Sequence, residues 1–285
     1  MFNIKKFLFG TFVFSSCASV VGCNTVNYKT TTSELHVKTS EKDIYGLVTK
    51  PLNGKEKNPL VICSHGYNGN EEIFESLVNA LSPKGYVIYR LNFCGGSNTS
   101  KSSGKTTEMS LFTEKDELNL VIDAAKKWDF VDTNNIYLLG ESQGGVVTNM
   151  IANSRSDIKG IVLWYPAFSI PDMVRNMLLP AANNPEKIPE TITLMGMLLG
   201  KVYYLGVKDY YPYKDMNNIN YKVLIVHGTN DTVIPLSVSE EAQKVYKNCE
   251  LVKIQGANHC FFDENFTYNE LYMKEALEAT LKYFK

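Results

Sequence analysis

Four stretches of this chain are continuous apolar runs that break off into a polar or glycine-containing loop: PLVICSHG (59–66), YVIYRLNF (86–93), IKGIVLWYP (158–166) and KVLIVHG (222–228). A strand hydrophobic on every residue, without alternation, has to be covered on both faces, which is the condition of a parallel sheet flanked by helices. A further short apolar strand is expected at Ile136, Leu138 and Leu139. Between these runs, apolar residues recur at helical spacing, predicting helices over about 70–82, 113–128, 143–153, 236–247 and 269–283. Strand and helix therefore alternate, and the expected fold class is α/β: a mostly parallel central sheet with helices on both faces. Ahead of this region, ELHVKTSEKDIYGLVTKP (34–51) alternates in the manner of two antiparallel edge strands ending at Pro51.

One interval breaks the rhythm. Between Pro166 and Lys222 the chain is too long for an ordinary crossover. It contains Met173, Met177, Met195 and Met197 with Tyr203, Tyr204, Tyr210, Tyr211 and Tyr213, and is read as a small cap inserted at about 167–215.

The strand at 136–139 runs into GESQGG (140–145), and Val146, Val147, Met150 and Ile151 continue as a helix. Gly140-Glu141-Ser142-Gln143-Gly144 is thus a G-x-S-x-G pattern at a strand-to-helix corner, where flanking glycines let a serine be held exposed in strained geometry. Taken alone, the pentapeptide also fits an ordinary glycine-rich turn. A serine nucleophile needs a base and an acid that orients the base. Asp231, in HGTNDTVIP (227–235), and His259, in GANHCF (256–261), each follow a strand, and the order Ser, Asp, His is that of α/β-hydrolase triads. All three fall at the carboxyl edge of the sheet, where open α/β sheets bind ligands. Asp231 alone also suits a helix cap, His65 and His227 compete as bases, and Asp209 and Asp215 are weaker acids. The second need is charge stabilisation of a tetrahedral oxyanion. The backbone N–H of Gln143, heading a helix, is one expected donor, and that of Tyr67, in the HGYNGN loop (65–70), is the other.

With HGYNGN, GESQGG, HGTNDTVIP and GANHCF in hand, the chain from about residue 34 to 285 resembles the serine α/β-hydrolases, most of all the cinnamoyl and feruloyl esterase group. The resemblance implies the α/β-hydrolase fold with a small cap, Ser142 as nucleophile, His259 as general base, Asp231 as its orienting acid, and no cofactor or metal. It further implies that cap residues hold the phenolic end of a hydroxycinnamoyl group, for which Tyr203, Tyr204, Asp209 and Tyr211 are the candidates. The expected substrate is a small-molecule or saccharide-linked ester. The loop NFCGGSNTS (92–100) departs from the more usual N-F-x-G-x-G-x-S form, which leaves Cys94 without an assigned role. Rival readings are a general lipase or acylglycerol esterase, a prolyl-oligopeptidase-type peptidase and, outside enzymes, a non-catalytic ligand-binding lipoprotein.

The formal net charge of −1 and the lack of a long basic run exclude a nucleic-acid footing. Residues 1–23 place Lys5 and Lys6 before an apolar segment, Phe7 to Phe14, then small residues, the layout of an export signal. The apolar segment is shorter than the ~20 residues a spanning helix needs. Val20-Val21-Gly22-Cys23 resembles a bacterial lipobox, implying lipidation at Cys23 and membrane attachment through lipid alone, with plain secretion as the alternative. A Thr-rich spacer is expected over 24–33. The remaining cysteines, Cys63, Cys94, Cys249 and Cys260, show no metal-ligand spacing, and sequence does not choose a pairing among them.

Overall fold

The computed structural model describes residues 27–179, 185–214 and 216–285. The export signal, Cys23 and Asp215 lie outside the described residues. Among the described residues, eight strands form the central sheet: β1 (Thr30–Glu34), β2 (Gly46–Pro51), β3 (Asn58–Ser64), β4 (Val87–Leu91), β5 (Val131–Glu141), β6 (Gly160–Trp164), β7 (Val223–Gly228) and β8 (Cys249–Ile254). They lie in the order β1-β2-β4-β3-β5-β6-β7-β8. From β4 to β8 every neighbouring pair is parallel, while β1–β2 and β2–β4 are antiparallel. The continuous apolar runs are these parallel strands, and β3, β4, β6 and β7 carry almost no exposed residue.

Among the described residues, seven α-helices accompany the sheet: α1 (Glu75–Leu81), α2 (Leu111–Ala125), α3 (Ser142–Ala152), α4 (Ile170–Leu178), α5 (Lys201–Val207), α6 (Ser237–Val245) and α7 (Glu270–Tyr283). Alternate side chains of each parallel strand enter opposite cores. Leu60 and Ile62 of β3 pack with Leu118, Val121, Val146 and Val147 of α2 and α3, whereas Val61 and Cys63 pack with Leu77 of α1 and Met273 and Ala276 of α7. Fully burying one such aliphatic side chain contributes ~1.5–3 kcal/mol.

The expected spacer over 24–33 is corrected at its C-terminal end. Thr30–Ser33 belong to β1, paired with β2 from Thr30↔Pro51 to Glu34↔Leu47. All five residues of β1 are exposed, so this edge strand carries no apolar signal and is held by main-chain bonding and by Thr32 Oγ1 on Thr49 Oγ1 at 2.9 Å. The segment expected as two edge strands instead holds β2 and a small hairpin, Val37–Lys38 with Asp43–Ile44.

The expected cap is built from α4, a two-stranded hairpin (Thr191–Leu194 with Met197–Gly200) and α5. It is seated on the loops at the carboxyl edge of the sheet: the Tyr67 hydroxyl donates to Leu194 O (2.7 Å) and the Asn98 amide to Gly196 O (3.0 Å). None of the described helices is long and apolar enough to cross a membrane.

Candidate active site

The strand β5 ends and α3 begins without an intervening residue, so the chain reverses at Ser142, whose φ is 52°. An L-residue in the left-handed region is strained, and here the packing on either side imposes it. A Cβ on Gly144 would lie 2.1 Å from Ser64 O, and one on Gly140 would lie 2.3 Å from Gly144 O. Only glycine permits the first turn of α3 to sit this close to β3, which is the reason the two glycines bracket the serine.

Ser142 Oγ stands 3.1 Å from His259 Nε2, and His259 Nδ1 stands 2.7 Å from Asp231 Oδ2. The two partners arrive from the loops after β8 and β7, as their sequence positions predict. His259 is 8% exposed and the Asp231 side chain is fully buried. Burial alone would raise the Asp231 pKa, but hydrogen bonds from His227 and His259, the charge of His259 and the Ile234 amide outweigh it and hold the carboxyl well below the usual range. Its Oδ1 accepts the amides of Val233 (2.9 Å) and Ile234 (2.7 Å).

His227 Nε2 lies 3.0 Å from Ile234 O and 3.2 Å from Asp231 Oδ2, both acceptors, so Nε2–H donates there and Nδ1 faces the Ser239 hydroxyl at 2.7 Å. His227, a competing base on sequence grounds, thus grips the acid directly and does not reach Ser142. His65 is fully buried: its Nε2 accepts the Phe93 N–H (3.0 Å), which leaves Nδ1–H to donate to Gly66 O (2.8 Å). Burial pushes its pKa down to about 4, so the ring is neutral near pH 7 and shapes the loop that carries Tyr67.

That loop lies directly against the nucleophile corner. A Cβ on Gly66 would fall 2.8 Å from Ser142 Cβ, and the Gly66 N–H donates to the Glu141 carboxylate. Among the described residues, the N–H groups of Tyr67 and Gln143 meet no acceptor. Two unengaged amides thus flank Ser142, one at the head of α3, where orphan N–H groups and the helix dipole favour negative charge.

Three residues escaped the sequence reading. Asn258 Oδ1 accepts from the His259 N–H (2.8 Å), the Thr232 N–H (2.9 Å) and the Thr232 hydroxyl (3.0 Å), fastening the loop of the base to the loop of the acid. Its place just before the histidine was the available signal. Glu141 is buried beneath the corner, with its pKa raised by burial against the lowering effect of the Gly66 amide, the charge of His259 and the Tyr165 hydroxyl. Glu114 is fully buried on α2 and accepts from the Gln143 amide (2.9 Å), with its pKa raised well above the usual range by burial. Nothing local marks Glu114, because its partner is 29 residues away.

Of the four cap residues expected to touch substrate, only Tyr203 reaches the corner, its hydroxyl donating to Gln143 Oε1 at 2.8 Å. Tyr204 is buried with its hydroxyl on Leu199 O. Asp209 is exposed and paired with Lys208, and Tyr211 is 58% exposed beneath the Arg175 guanidinium. The bonds these last three make lie within the cap, and none leads to Ser142. The four cysteines within the described residues are free thiols, and burial pushes Cys94 up to about 11. Among the described residues, no cluster of three His, Cys, Asp or Glu side chains is placed to hold a metal ion.

A family model described as the prolyl oligopeptidase family matches residues 73–285. Est1E from Butyrivibrio proteoclasticus, solved with ferulic acid bound, superposes with a TM-score of 0.75 at 31% identity, over 87% of this chain and 98% of that one. A second structure of Est1E gives 0.73 at 29% identity, over 87% and 98%. The mouse α/β-hydrolase domain-containing protein 10 shares the fold at 14% identity, with a TM-score of 0.72 over 88% of this chain and 98% of its own. No curated protein matches the sequence. The chain belongs to the prolyl oligopeptidase family of serine α/β-hydrolases.

Proposed function

We propose that the protein is a carboxylic ester hydrolase that releases hydroxycinnamic acids, such as ferulic or p-coumaric acid, through an acyl-enzyme. The observation that carries the reaction class is the Ser142–His259–Asp231 alignment beside two unengaged amides. Ser142 Oγ attacks the ester carbonyl while its proton passes to His259 Nε2. The charge that forms on the carbonyl oxygen faces the N–H groups of Tyr67 and Gln143. Collapse breaks the C–O bond, and the leaving alcohol takes the proton from His259. Water then attacks the acyl-enzyme, giving a proton to His259 Nε2, and as the acyl C–Oγ bond breaks that proton passes to Ser142 Oγ and the acid departs. Asp231 stays ionised and keeps Nδ1–H of His259 directed at itself, so that Nε2 is the acceptor toward Ser142.

The acyl group is read from two sources. Est1E, which shares 31% identity, binds ferulic acid. Half-buried Tyr67 meets Tyr203 edge to face beside the corner, with ring centroids 6.5 Å apart, and offers an aromatic surface suited to a flat ring. Methyl ferulate and methyl p-coumarate are expected to give a higher kcat/KM than a straight-chain ester of similar size. If butyrate or longer aliphatic esters win that comparison, the acyl assignment is wrong and a general lipase or esterase takes its place. Peptide hydrolysis is the second reading, favoured by the family match over 73–285. Faster turnover of a prolyl p-nitroanilide than of any ester would establish it.

Export and lipid attachment at Cys23 are part of the proposal and rest on residues 1–23 alone. The wild type is expected to sediment with membranes and Cys23→Ala to appear in the soluble fraction. A wild type that is wholly soluble would leave plain secretion.

A further inference from the structure

The two residues whose amides face the candidate oxyanion position also tie the active-site corner to the cap. Tyr67 sends its hydroxyl to Leu194 O at the end of the first hairpin strand, 2.7 Å away. Gln143 is gripped at both ends of its side chain: Oε1 accepts from the Tyr203 hydroxyl (2.8 Å), and Nε2 donates to Glu114 (2.9 Å). Gln143 and Glu114 are fully buried and Tyr203 is 3% exposed, so water does not compete for these bonds. The rings of Tyr67 and Tyr203 meet edge to face, which closes a circuit from hairpin to loop to α3 to α5. A side chain held at its tip restricts the backbone that bears it. Each amide is therefore positioned by a bond whose other end belongs to the cap.

We propose that Tyr67 and Tyr203 are positioning residues through which the cap sets the geometry of the oxyanion hole. The inference rests on the ester hydrolase reading and deepens it: the cap acts on every substrate, including those too short to reach it. Burial raises the Tyr203 pKa well above its usual range, so the hydroxyl that donates to Gln143 stays protonated through the neutral pH range. Loss of one oxyanion donor costs ~10²–10³-fold in kcat, and a small misplacement costs less than outright loss.

The test uses p-nitrophenyl acetate, whose two-carbon acyl group is too short to bind along the cap. In the full-length protein, Tyr67→Phe and Tyr203→Phe are each expected to lower kcat about tenfold with KM unchanged; Tyr67→Phe keeps the unfolding midpoint, whereas Tyr203→Phe, which leaves the buried Gln143 Oε1 without its donor, lowers it. The inhibition constant of a trifluoromethyl ketone, whose adduct places an oxyanion in the hole, is expected to rise by the same factor. Unchanged kcat for acetate in both variants overturns the inference, as does a rise in KM confined to hydroxycinnamoyl esters, which would make Tyr203 a substrate contact. The two substitutions are scored separately, and Tyr67→Phe, which removes a hydroxyl from a half-buried ring, tests the idea even though Tyr203→Phe lowers the midpoint. A wild type that turns over no ester overturns the esterase reading and this inference together. An active wild type with unaffected variants overturns this inference alone.

Discussion

Ser142→Ala is expected to lower ester hydrolysis by roughly four to six orders of magnitude, because members of a catalytic triad act as a unit and removing one leaves only binding and oxyanion stabilisation. The loss is expected without unfolding. The Ser142 hydroxyl bonds only His259 among the described residues, and the left-handed backbone at φ 52° is imposed by Gly140 and Gly144, which the substitution leaves in place. A fluorophosphonate probe should label the wild type and not the variant, with equal unfolding midpoints. Equal labelling, or turnover within tenfold of wild type, would remove Ser142 from the mechanism.

Asp231→Asn is expected to cost about 10⁴-fold in kcat, the size of effect that follows when the orienting carboxylate of such a triad becomes an amide. Four donors converge on the two oxygens of Asp231: the Val233 and Ile234 amides on Oδ1, and His259 Nδ1 and His227 Nε2 on Oδ2. An asparagine keeps its carbonyl for one pair and turns its NH₂ on the other. With the backbone amides satisfied, the NH₂ faces His259 Nδ1, which must then become the acceptor, and Nε2–H points at Ser142 with no capacity to take its proton. The pH dependence has a definite sign. The folded-state pKa of Asp231 is depressed below its unfolded value, so its stabilising contribution is present above the unfolded value of ~3.9 and is lost as pH falls toward the folded one. Thermal denaturation should therefore show Asp231→Asn less stable than wild type at pH 7, with the gap closing in strong acid. If Asp209→Asn removes activity while Asp231→Asn keeps it, the acid has been misassigned.

How much of this was legible depended on whether the cause was local. The parallel strands announced themselves because a strand buried on both faces must be apolar throughout, as β3 and β7 are. The residues at the corner were legible for a similar reason: a serine held at positive φ needs glycine where Gly140 and Gly144 stand. β1 was missed because TTTSE has no buried face to leave a pattern; its partner on β2, not its composition, makes it a strand. The cap defeated residue-level reading because tyrosines are equally suited to a ring contact, a hydroxyl bond or the surface. Only the fold separates Tyr203, bonded to Gln143, from Tyr211, left outside. His227 belongs to the same class, since its contact with Asp231 depends on how the loop between them closes.

The seat of the cap has a consequence for how this protein can change over generations. Tyr67 bonds the carbonyl of Leu194 and Asn98 the carbonyl of Gly196, while within the cap Arg175 bonds the carbonyls of Lys208 and Tyr210. Main-chain oxygens persist whatever side chain stands at the position. Residues of the hairpin and of the segment after α5 are thus free to drift, exchanging one substrate preference for another, while the cap stays docked where it is. Tyr203, Tyr210 and Tyr213 are exceptions, because their own hydroxyls make the bonds to Gln143, Asn149 and the Val238 carbonyl. Diversity among descendants of this chain should gather at positions such as Leu194, Met195 and Lys208, and pass by Tyr203.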